Sequence, residues 1–512
     1  PALTIAAVVA VTVAVTQIDP HKVPMGSVLY GAIYGSVSGL LAIGLVLTYR
    51  VSRAINFAYG SMGAVAGAAG VSLYLGHHMP WGATIVVALV IGGLVGAAVG
   101  ALINWRFSNT PRMILTVATV GLSQLLGGIT VYEPRWFGAE TPPIGGFQTG
   151  LSKIHTEINP VLFTGNELLI IIVVPLVVAA VSWFLLRTDA GRAVRAIADN
   201  SDRARLIGIP ARRLMFAVWT ISGVVAALAI MLQAPAQGVS ISATAGPTLL
   251  LAPLAAAVVA KMESLWVAFV AAIGLGVIQS VVQLDVSKLS VSTVVFLVVV
   301  MLALVVQHRS QSRADSADES SWSVSGAIKP IPAALRGLRE VRIFKIVVGL
   351  ALAALAISLP SFLPPGRLDQ VSVTIVFGMV AVSLVVLSGW GGTISLGQFA
   401  LVGVGAITAG DLMMHFNVDF FLALVAGGLA AAVGAVILGL PALRVRGLYL
   451  AVTTLAFAVA ADEFLFNSAN FNSILPGSVL RPVLWQRFNL HGEGDLYGLC
   501  LGMLVLTILL VS

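Results

Sequence analysis

Apolar runs long enough to cross a lipid bilayer recur along almost the whole of this 512-residue chain. A membrane-spanning helix needs about 17–25 predominantly apolar residues. Continuous runs predict helices, because a barrel strand shows about ten residues of alternating polarity instead. The sequence therefore predicts an all-α polytopic membrane protein of about 16 spans, some short or glycine-rich enough to be re-entrant. The runs lie near 1–18, 26–49, 55–76, 82–104, 112–130, 167–187, 214–234, 246–260, 265–283, 289–307, 341–359, 371–389, 395–414, 418–440, 447–466 and 496–512.

Composition and charge support membrane insertion and predict its direction. The chain is 58% hydrophobic and only 10% charged, against about 25% charged residues in soluble domains. Cytoplasmic loops of membrane proteins retain Lys and Arg. If the chain starts inside, the cytoplasmic side holds 19 of these residues as far as Lys345, and the outer side holds 4. Topology then explains the formal net charge of +7, and no nucleic-acid partner is expected.

A polar stretch at 308–340, "HRSQSRADSADESSWSVSGAIKPIPAALRGLRE", divides the chain. It is rich in Ser, Asp and Arg, and its few apolar residues cannot form a core of their own. This composition predicts a cytoplasmic linker between a first membrane unit at 1–307 and a second at 341–512.

The two units share a sequence pattern. "AINFAYGSMGAVAGAAG" (54–70) and "TISLGQFALVGVGAITAG" (393–410) each place polar and then small residues at the start of an apolar helix. Further along, "ILTVATVGL" (114–122) and "YLAVTTLAF" (449–457) match at a Val and a Thr. Similar chemistry at similar spacing predicts two homologous units arranged as a parallel pseudo-dimer, which places a pathway at the repeat interface.

A compact basic segment, "RTDAGRAVRAIADNSDRARLIGIPARR" at 187–213, lies between two spans on the predicted cytoplasmic side. Residues 199–201 offer N-cap oxygens, and Gly208 followed by Pro210 predicts the end of a short helix. The segment carries more arginines than anchoring at the membrane requires. A preorganised cationic helix outside the bilayer suits docking into a groove of a soluble partner. The alternative interpretation is an ordinary positively charged loop.

Extended to "RTDAGRAVRAIADNSDRARLIGIPARRLMFAVWTISGVVAALA", this segment resembles the cytoplasmic coupling loop of ABC importer permeases for branched-chain amino acids, in which G-R-A-x-R-A-x-A precedes A-x-L-x-G-I. Residues 26–70, with "GSVLYGAIYGSVSGLLAIGLVLTYRVSRAINFAYG", look like the start of the first permease subunit of those systems. The second unit, with "VVLSGWGGTISLGQFALVGVGAITAG" and "LPALRVRGLYLAVTTLAFA", is similar to the partner subunit. The chain as a whole, apart from the linker, resembles a fusion of the two permease subunits.

The resemblance implies an ATP-driven importer in the plasma membrane of a prokaryote, with branched-chain or related hydrophobic amino acids as cargo. The sequence contains no G-x-x-x-x-G-K-[ST] phosphate loop, so we expect no catalytic residue and no bound cofactor. ATP and Mg²⁺ are expected on partner ATPase subunits or on a domain beyond this sequence. An extracytoplasmic substrate-binding protein and membrane lipid are the other expected partners. The residues implied in coupling to the ATPase are Arg192, Arg195, Asp199, Asp202, Arg203, Arg205 and Gly208.

Polar residues on glycine-rich spans are candidates for the translocation path, because such groups tend to face the bundle interior or water. A hydrogen bond between helices is the alternative role for each. The candidates are Asn56, Thr116, Thr119 and Gln124 in the first unit, and Ser395, Gln398, Thr453 and Thr454 in the second.

Two loops on the predicted outer side are candidate docking surfaces for the binding protein, with ordinary solvated loops as the alternative. They are 131–166, with Glu133, Arg135, Glu140 and Glu157, and 467–495. Asp462 and Glu463 are expected to mark the outer membrane boundary.

Other classes of membrane protein remain open at this point. A gradient-driven secondary transporter or channel for a small polar solute needs an intramembrane carboxylate, and only Asp411 and the Asp462/Glu463 pair come near. A membrane scaffold, or a urea or amide permease of the same family, are further alternatives. An enzyme is not expected, because the seven histidines show no metal-ligand spacing and Cys500 is the single cysteine.

The ends of the sequence lead to one more expectation. The chain begins at Pro1 and stops at Ser512, inside an apolar run and about ten residues before the repeat places a second coupling loop. We therefore expect the second unit to be incomplete and a longer protein to carry that loop.

Overall fold

The computed structural model describes residues 23–107, 110, 112–136, 146–239, 245–285, 290–306, 338–390, 395–442, 448–471, 483–484, 488–489 and 492–511. Backbone packing divides the chain into two compact units, unit one over Pro1–Ser310 and unit two over Gln311–Ser512. The predicted first span at 1–18 and most of the predicted linker at 308–340 lie outside the described residues.

Unit one consists of long apolar helices with one hairpin and two short helices between them. The hairpin strands are antiparallel, with His155 opposite Thr164. In chain order the elements are α1 (Met25–Ser52), α2 (Tyr59–His77), α3 (Trp81–Arg106), α4 (Arg112–Trp136), β1 (His155–Ile158), β2 (Val161–Thr164), α5 (Gly165–Arg187), α6 (Asp189–Asp199), α7 (Ser201–Leu206), α8 (Ala211–Gln237), α9 (Ala245–Val259), α10 (Leu265–Asp285) and α11 (Ser290–Val306).

Unit two is built in the same way, and one of its spans ends in a π-helical segment at Ala461–Leu465. Its two short strands pair antiparallel. The other elements are α12 (Arg339–Phe362), α13 (Pro365–Gly389), α14 (Gln398–Phe416), α15 (Phe420–Ala442), α16 (Leu448–Ala460), α17 (Ser468–Phe471), β3 (Val483–Leu484), β4 (Phe488–Asn489) and α18 (Glu493–Val511).

Within the described residues, 11 helices are long and apolar enough to cross a membrane. Four further predicted spans form helices that are shorter or less apolar, namely α2, α9, α11 and α16. The prediction of an all-α polytopic membrane protein is confirmed. The predicted total of about 16 spans counts these four helices and the run at 1–18 as crossings.

Glycine lets helices of unit one approach at backbone distance. A Cβ added to Gly92 of α3 lies 2.6 Å from the Gly223 carbonyl oxygen of α8, and one added to Gly223 lies 2.2 Å from the Gly92 oxygen. Helices α1 and α10 meet similarly at Gly31 and Gly276. Small residues at such crossings give membrane helices their van der Waals contact.

Helix α2 is the buried centre of unit one. It packs against α3, α4, α8 and α9, and every residue from Tyr59 to Ser72 is buried. The polar residues near its two ends therefore lie inside the bundle, where each needs a hydrogen-bond partner or a ligand.

Candidate coupling and translocation sites

The basic segment at 187–213 folds as two short helices outside the apolar spans. Helix α6 begins at a Thr188 cap, whose Oγ1 accepts a hydrogen bond from the Gly191 N–H at 3.0 Å. Its inward face buries Gly191, Val194 and Ile197. The intervening positions 192 and 195 carry exposed arginines, so one face packs on the protein and the other is charged.

Helix α7 follows directly and has the predicted start and end signals. The Arg203 N–H donates to Asn200 Oδ1 at 2.9 Å, which identifies Asn200 as the capping residue. The helix ends at Leu206, and the turn after it contains Gly208, whose φ of 85° requires a residue tolerant of the left-handed region. The predicted short helix is present.

The segment is fastened to the membrane helices through Arg53. This residue ends α1 in the left-handed conformation, with φ 54°. Its guanidinium donates a hydrogen bond to the Ala198 carbonyl oxygen at the end of α6. Arg53 also begins the loop that leads into α2, so this hydrogen bond connects the end of α6 to that loop.

Most of the predicted coupling residues lie on the exposed side of α6 and α7. Arg192 pairs with Asp189 of the same helix. The side chain of Asp202 lies outside the described part of the structure. The exposed coupling residues are Arg192, Arg195, Asp199, Arg203, Arg205 and Gly208.

Two apolar residues at the tip of α7 were missed by sequence reasoning. Leu206 and Ile207 are 86% and 75% exposed, although they lie between the arginines and Gly208. The sequence signal for them is an apolar pair directly before Gly208, in a segment that is otherwise polar. Together with the arginines they form a surface with an apolar tip and a cationic flank, which we call the coupling tip.

Inside unit one, the predicted path residues Asn56 and Thr119 hold the start of α2. Asn56 Oδ1 accepts from the Ala58 N–H at 3.1 Å. Thr119 Oγ1, on α4, accepts from the Phe57 N–H at 3.2 Å and donates to the Thr116 carbonyl oxygen at 2.7 Å. Asn56 and Thr119 are each 1% exposed. The loop before α2 is thus clamped to α4 by side-chain hydrogen bonds.

Unit two contains the same clamp. Ser395 Oγ accepts from the Gly397 N–H at 3.3 Å, and Thr454 Oγ1 accepts from the Leu396 N–H at 2.9 Å. Asn56 and Ser395 therefore have equivalent roles, as do Thr119 and Thr454. The predicted homology of the units is present at the level of individual hydrogen bonds.

The helices that follow the clamps also agree residue by residue. Helices α2 and α14 are each 19 residues long and are separated by 339 positions. Each ends at a left-handed residue, His78 or Asn417, whose N–H donates to the carbonyl oxygen five residues earlier, that of Leu73 or Leu412. This correspondence lets positions in one unit be compared with positions in the other.

The other predicted path residues do not join the clamps. Gln124 lies on the exposed face of α4. Gln398 Nε2 donates to Ser383 Oγ at 3.0 Å, and Thr453 Oγ1 donates to the Leu450 carbonyl oxygen at 2.8 Å. Thr116 is fully buried beneath Thr119 on α4.

Two acidic side chains near the outer ends of spans were not recognised as buried. Glu167 is 5% exposed, and its carboxylate accepts from the Tyr34 hydroxyl at 2.8 Å and from the Thr164 N–H at 2.8 Å. Glu133 is 3% exposed and lies inside α4. The expectation that Glu133 belongs to a solvated docking loop is wrong, because α4 continues to Trp136 and turns this carboxyl inward.

Of the remaining docking candidates, Arg135 and Glu157 are exposed, and the side chain of Arg135 stacks over the Tyr132 ring. Glu140 lies outside the described residues. Asp462 and Glu463 lie in the π-helical segment that ends the α16 span. Among the described residues, no group of three His, Cys, Asp or Glu side chains is placed to hold a metal ion.

Comparison with known proteins supports the arrangement in both units. The family described as "Branched-chain amino acid transport system / permease component" matches residues 27–305 and 367–477. The chain is 32% identical over 146 residues to "High-affinity branched-chain amino acid transport system permease protein LivM" of Escherichia coli (strain K12), covering 28% of this chain and 33% of that protein.

A second group of relatives is named for a different cargo. The chain is 31% identical over 191 residues to "Autoinducer 2 import system permease protein LsrC" of Enterobacter sp. (strain 638), covering 37% of this chain and 50% of that protein. The alignments thus span between a third and a half of these relatives. Since the family match extends over most of both units, the chain is a multi-pass integral membrane protein that belongs to the branched-chain amino acid transport system permease family.

Proposed function

We propose that the chain forms the translocation pathway of an ATP-driven ABC importer for branched-chain or related hydrophobic amino acids. The observation that carries this proposal is the family match to both units, at 27–305 and at 367–477. The two equivalent clamps support it, because a pathway between repeats needs matched moving parts. The protein is then a permease and not an enzyme, and it binds no cofactor of its own.

The coupling tip is the proposed docking surface for an ATPase partner, which binds ATP and Mg²⁺. Leu206 and Ile207 would enter an apolar pocket, while the exposed arginines pair with acidic groups around it. Large exposed apolar side chains beside charged residues are typical of a protein interface. Arg192, Arg195, Asp199, Asp202, Arg203, Arg205 and Gly208 are the proposed coupling residues.

In the proposed mechanism, movement of the ATPase displaces α6 and α7. The hydrogen bond from Arg53 to the Ala198 carbonyl oxygen transmits this displacement to the loop before α2. Thr119 holds the same loop to α4, so α2 and α4 move together as a rigid pair. Tilting of such pairs alternates access between the outside and the cytoplasm.

The remaining partners follow from the same proposal. An extracytoplasmic binding protein would deliver cargo to the outer loops, where the exposed β1–β2 hairpin carries Glu157. Lipid surrounds the apolar helices. Asn56, Thr116, Thr119, Gln124, Ser395, Gln398, Thr453 and Thr454 remain candidates for the path, although the hydrogen bonds of Asn56, Thr119, Ser395 and Thr454 also fix helix starts.

A second cargo is favoured by one observation. The relatives with the longer alignments are named for import of autoinducer 2, so autoinducer 2 is the alternative cargo to an amino acid. The match of the permease family to both units favours the amino acid.

The test is uptake into vesicles that contain the full-length protein with its co-purified ATPase and binding protein. We expect ATP-dependent accumulation of leucine, isoleucine or valine that continues when an ionophore removes the proton gradient. Uptake that needs the gradient and not ATP would overturn the importer proposal in favour of a secondary transporter. Uptake of autoinducer 2 without amino acids would change the cargo alone.

The coupling surface is tested separately by purification in mild detergent. A variant carrying Arg192→Glu, Arg195→Glu and Arg203→Glu is expected to lose a co-purifying phosphate-loop ATPase that the wild type retains. An equal yield of ATPase from both proteins would remove the coupling role from this segment.

A further inference from the structure

Several buried polar groups of unit one have no hydrogen-bond partner in the described part of the chain, and two of them lie on α2 and α4, which pack against each other. They are the Oε2 atom of Glu133 on α4 and the Oγ atom of Ser72 on α2. Glu133 is 3% exposed and Ser72 is 1% exposed. Buried polar groups are normally hydrogen-bonded, so such an unpaired group requires an explanation.

Helical periodicity, counted from the observed contacts between α2 and α4, puts the two groups on facing sides of these helices. Ser61 Oγ and Ser123 Oγ are 2.8 Å apart across it. Ser72 follows Ser61 by eleven residues, close to three helical turns, and therefore lies on the same face of α2. Leu126 packs in a cluster with residues of α2, and Glu133 follows it by two turns on the same face of α4.

Both groups also lie at a similar height. The two helices run in the same direction from the Ser61–Ser123 contact, and each rises about 1.5 Å per residue. Eleven residues of α2 and ten of α4 therefore reach about the same level, at Ser72 and Glu133. A carboxyl and a hydroxyl group share the outer half of this interface.

Among the described residues, the helices that pack mainly against α4 supply no buried cation. These are α2 and α9; α9 contains neither Lys, Arg nor His, and His77 of α2 is exposed. On α4 itself, Arg135 lies over the Tyr132 ring. An ionised carboxylate in a membrane span is expensive unless an opposite charge or polar group meets it.

Unit two places a carboxylate at the matching position. The correspondence of α2 with α14 aligns Ser72 with Asp411 and Gly76 with His415. Asp411 Oδ1 lies 2.8 Å from His415 Nδ1, one turn away on the same helix. The carboxylate of unit two thus has a basic neighbour on its own helix, whereas unit one has a glycine there.

We infer that Glu133, assisted by the Ser72 hydroxyl, binds the ammonium group of an amino acid as it enters the pathway. This inference rests on the proposed function. The cargo supplies the positive charge that the surrounding helices lack. The oxygen of the Ser72 hydroxyl accepts a hydrogen bond from the ammonium group.

The experiment uses the full-length importer in vesicles, with leucine uptake and ATP hydrolysis measured together. Glu133→Gln removes the charge at nearly constant shape, Glu133→Asp retains it, and Glu340→Gln, at an exposed position near the start of α12, is the matched control. We expect Glu133→Gln to lower kcat/KM for leucine by about 30-fold or more, as expected when a buried charge pair loses one partner. Glu133→Asp should recover part of it, and Glu340→Gln should match the wild type.

A direct measurement is the extent to which dicyclohexylcarbodiimide modifies Glu133, determined by mass spectrometry. Leucine should protect Glu133, whereas 4-methylpentanoate, which is leucine without its amino group, should not. Equal protection by both compounds, or undiminished uptake by Glu133→Gln, would overturn the inference. If the wild type still took up leucine, the proposed importer function would stand. Failure of the wild type to take up any amino acid would overturn the proposed function and this inference with it.

Discussion

The hydroxyl of Thr119 gives the sharpest test of the clamp at the start of α2. Thr119→Val keeps the shape of the side chain and removes its only polar atom. The Phe57 N–H, which donates to Thr119 Oγ1 at 3.2 Å, then loses its acceptor in a buried place. Leaving a buried donor unpaired costs about 1–3 kcal/mol.

That free energy predicts how often the loop opens. A change of 1–3 kcal/mol corresponds to roughly a 5- to 150-fold change in an equilibrium constant. Amide hydrogen exchange reports such local opening. We therefore expect peptides covering residues 54–60 to exchange faster by that factor in Thr119→Val, and ATP-driven uptake to fall because α2 and α4 no longer move together.

The matched control is Thr130→Val on the same helix. Thr130 is also fully buried, but its Oγ1 donates only to the Leu126 carbonyl oxygen one turn earlier, at 3.0 Å. Removing it leaves no backbone N–H unpaired, so exchange at 54–60 should stay unchanged. Thr119→Ser should restore protection. If Thr119→Val and Thr130→Val behaved alike, the clamp would have no mechanical role.

Three further variants test other parts of the structure. Arg53→Gly keeps a residue suited to the left-handed backbone but removes the guanidinium, so ATPase should still co-purify while leucine uptake per ATP hydrolysed falls. Leu206→Ser with Ile207→Ser should abolish ATPase co-purification without lowering the thermal unfolding temperature, because both side chains are exposed. Gly223→Ala should lower that temperature, since its Cβ would lie 2.2 Å from a backbone oxygen, whereas Gly128→Ala, with open space around it, should not.

The sequence was sufficient for the helices but not for the faces they bury. Length and hydrophobicity located the spans, because a membrane requires about 20 apolar residues whatever they pack against. A helix that is apolar all round carries little information on which side faces its neighbours. Thr119 and Gln124 are five residues apart on α4 and were both assigned to the path, yet one is buried and the other exposed.

The case of Glu133 shows a different limit. The apolar run near 112–130 is followed by Tyr, Glu, Pro and Arg, which read as a loop. The helix nevertheless continues to Trp136, with Glu133 buried and Arg135 exposed. Glu133 lies seven residues, or two helical turns, after Leu126, and this spacing is the only sequence signal that puts both on one face of α4. The signal becomes informative only once the structure shows that α2 packs against the face with Leu126.

The two units keep equivalent hydrogen bonds at the clamps even where the residue types differ. This distinguishes residues proposed to move the helices from a residue proposed to bind cargo. Asn56 and Ser395 differ in size, yet each side-chain oxygen accepts from the N–H two residues later. Thr119 and Thr454 keep both their residue type and their hydrogen bond to the loop before α2 or before α14. A part that must move in the same way in both units is constrained to equivalent hydrogen bonds. A group that pairs with an asymmetric cargo, as inferred for Glu133, is under no such constraint, and unit two has at the position of Ser72 a carboxylate, Asp411, with His415 beside it.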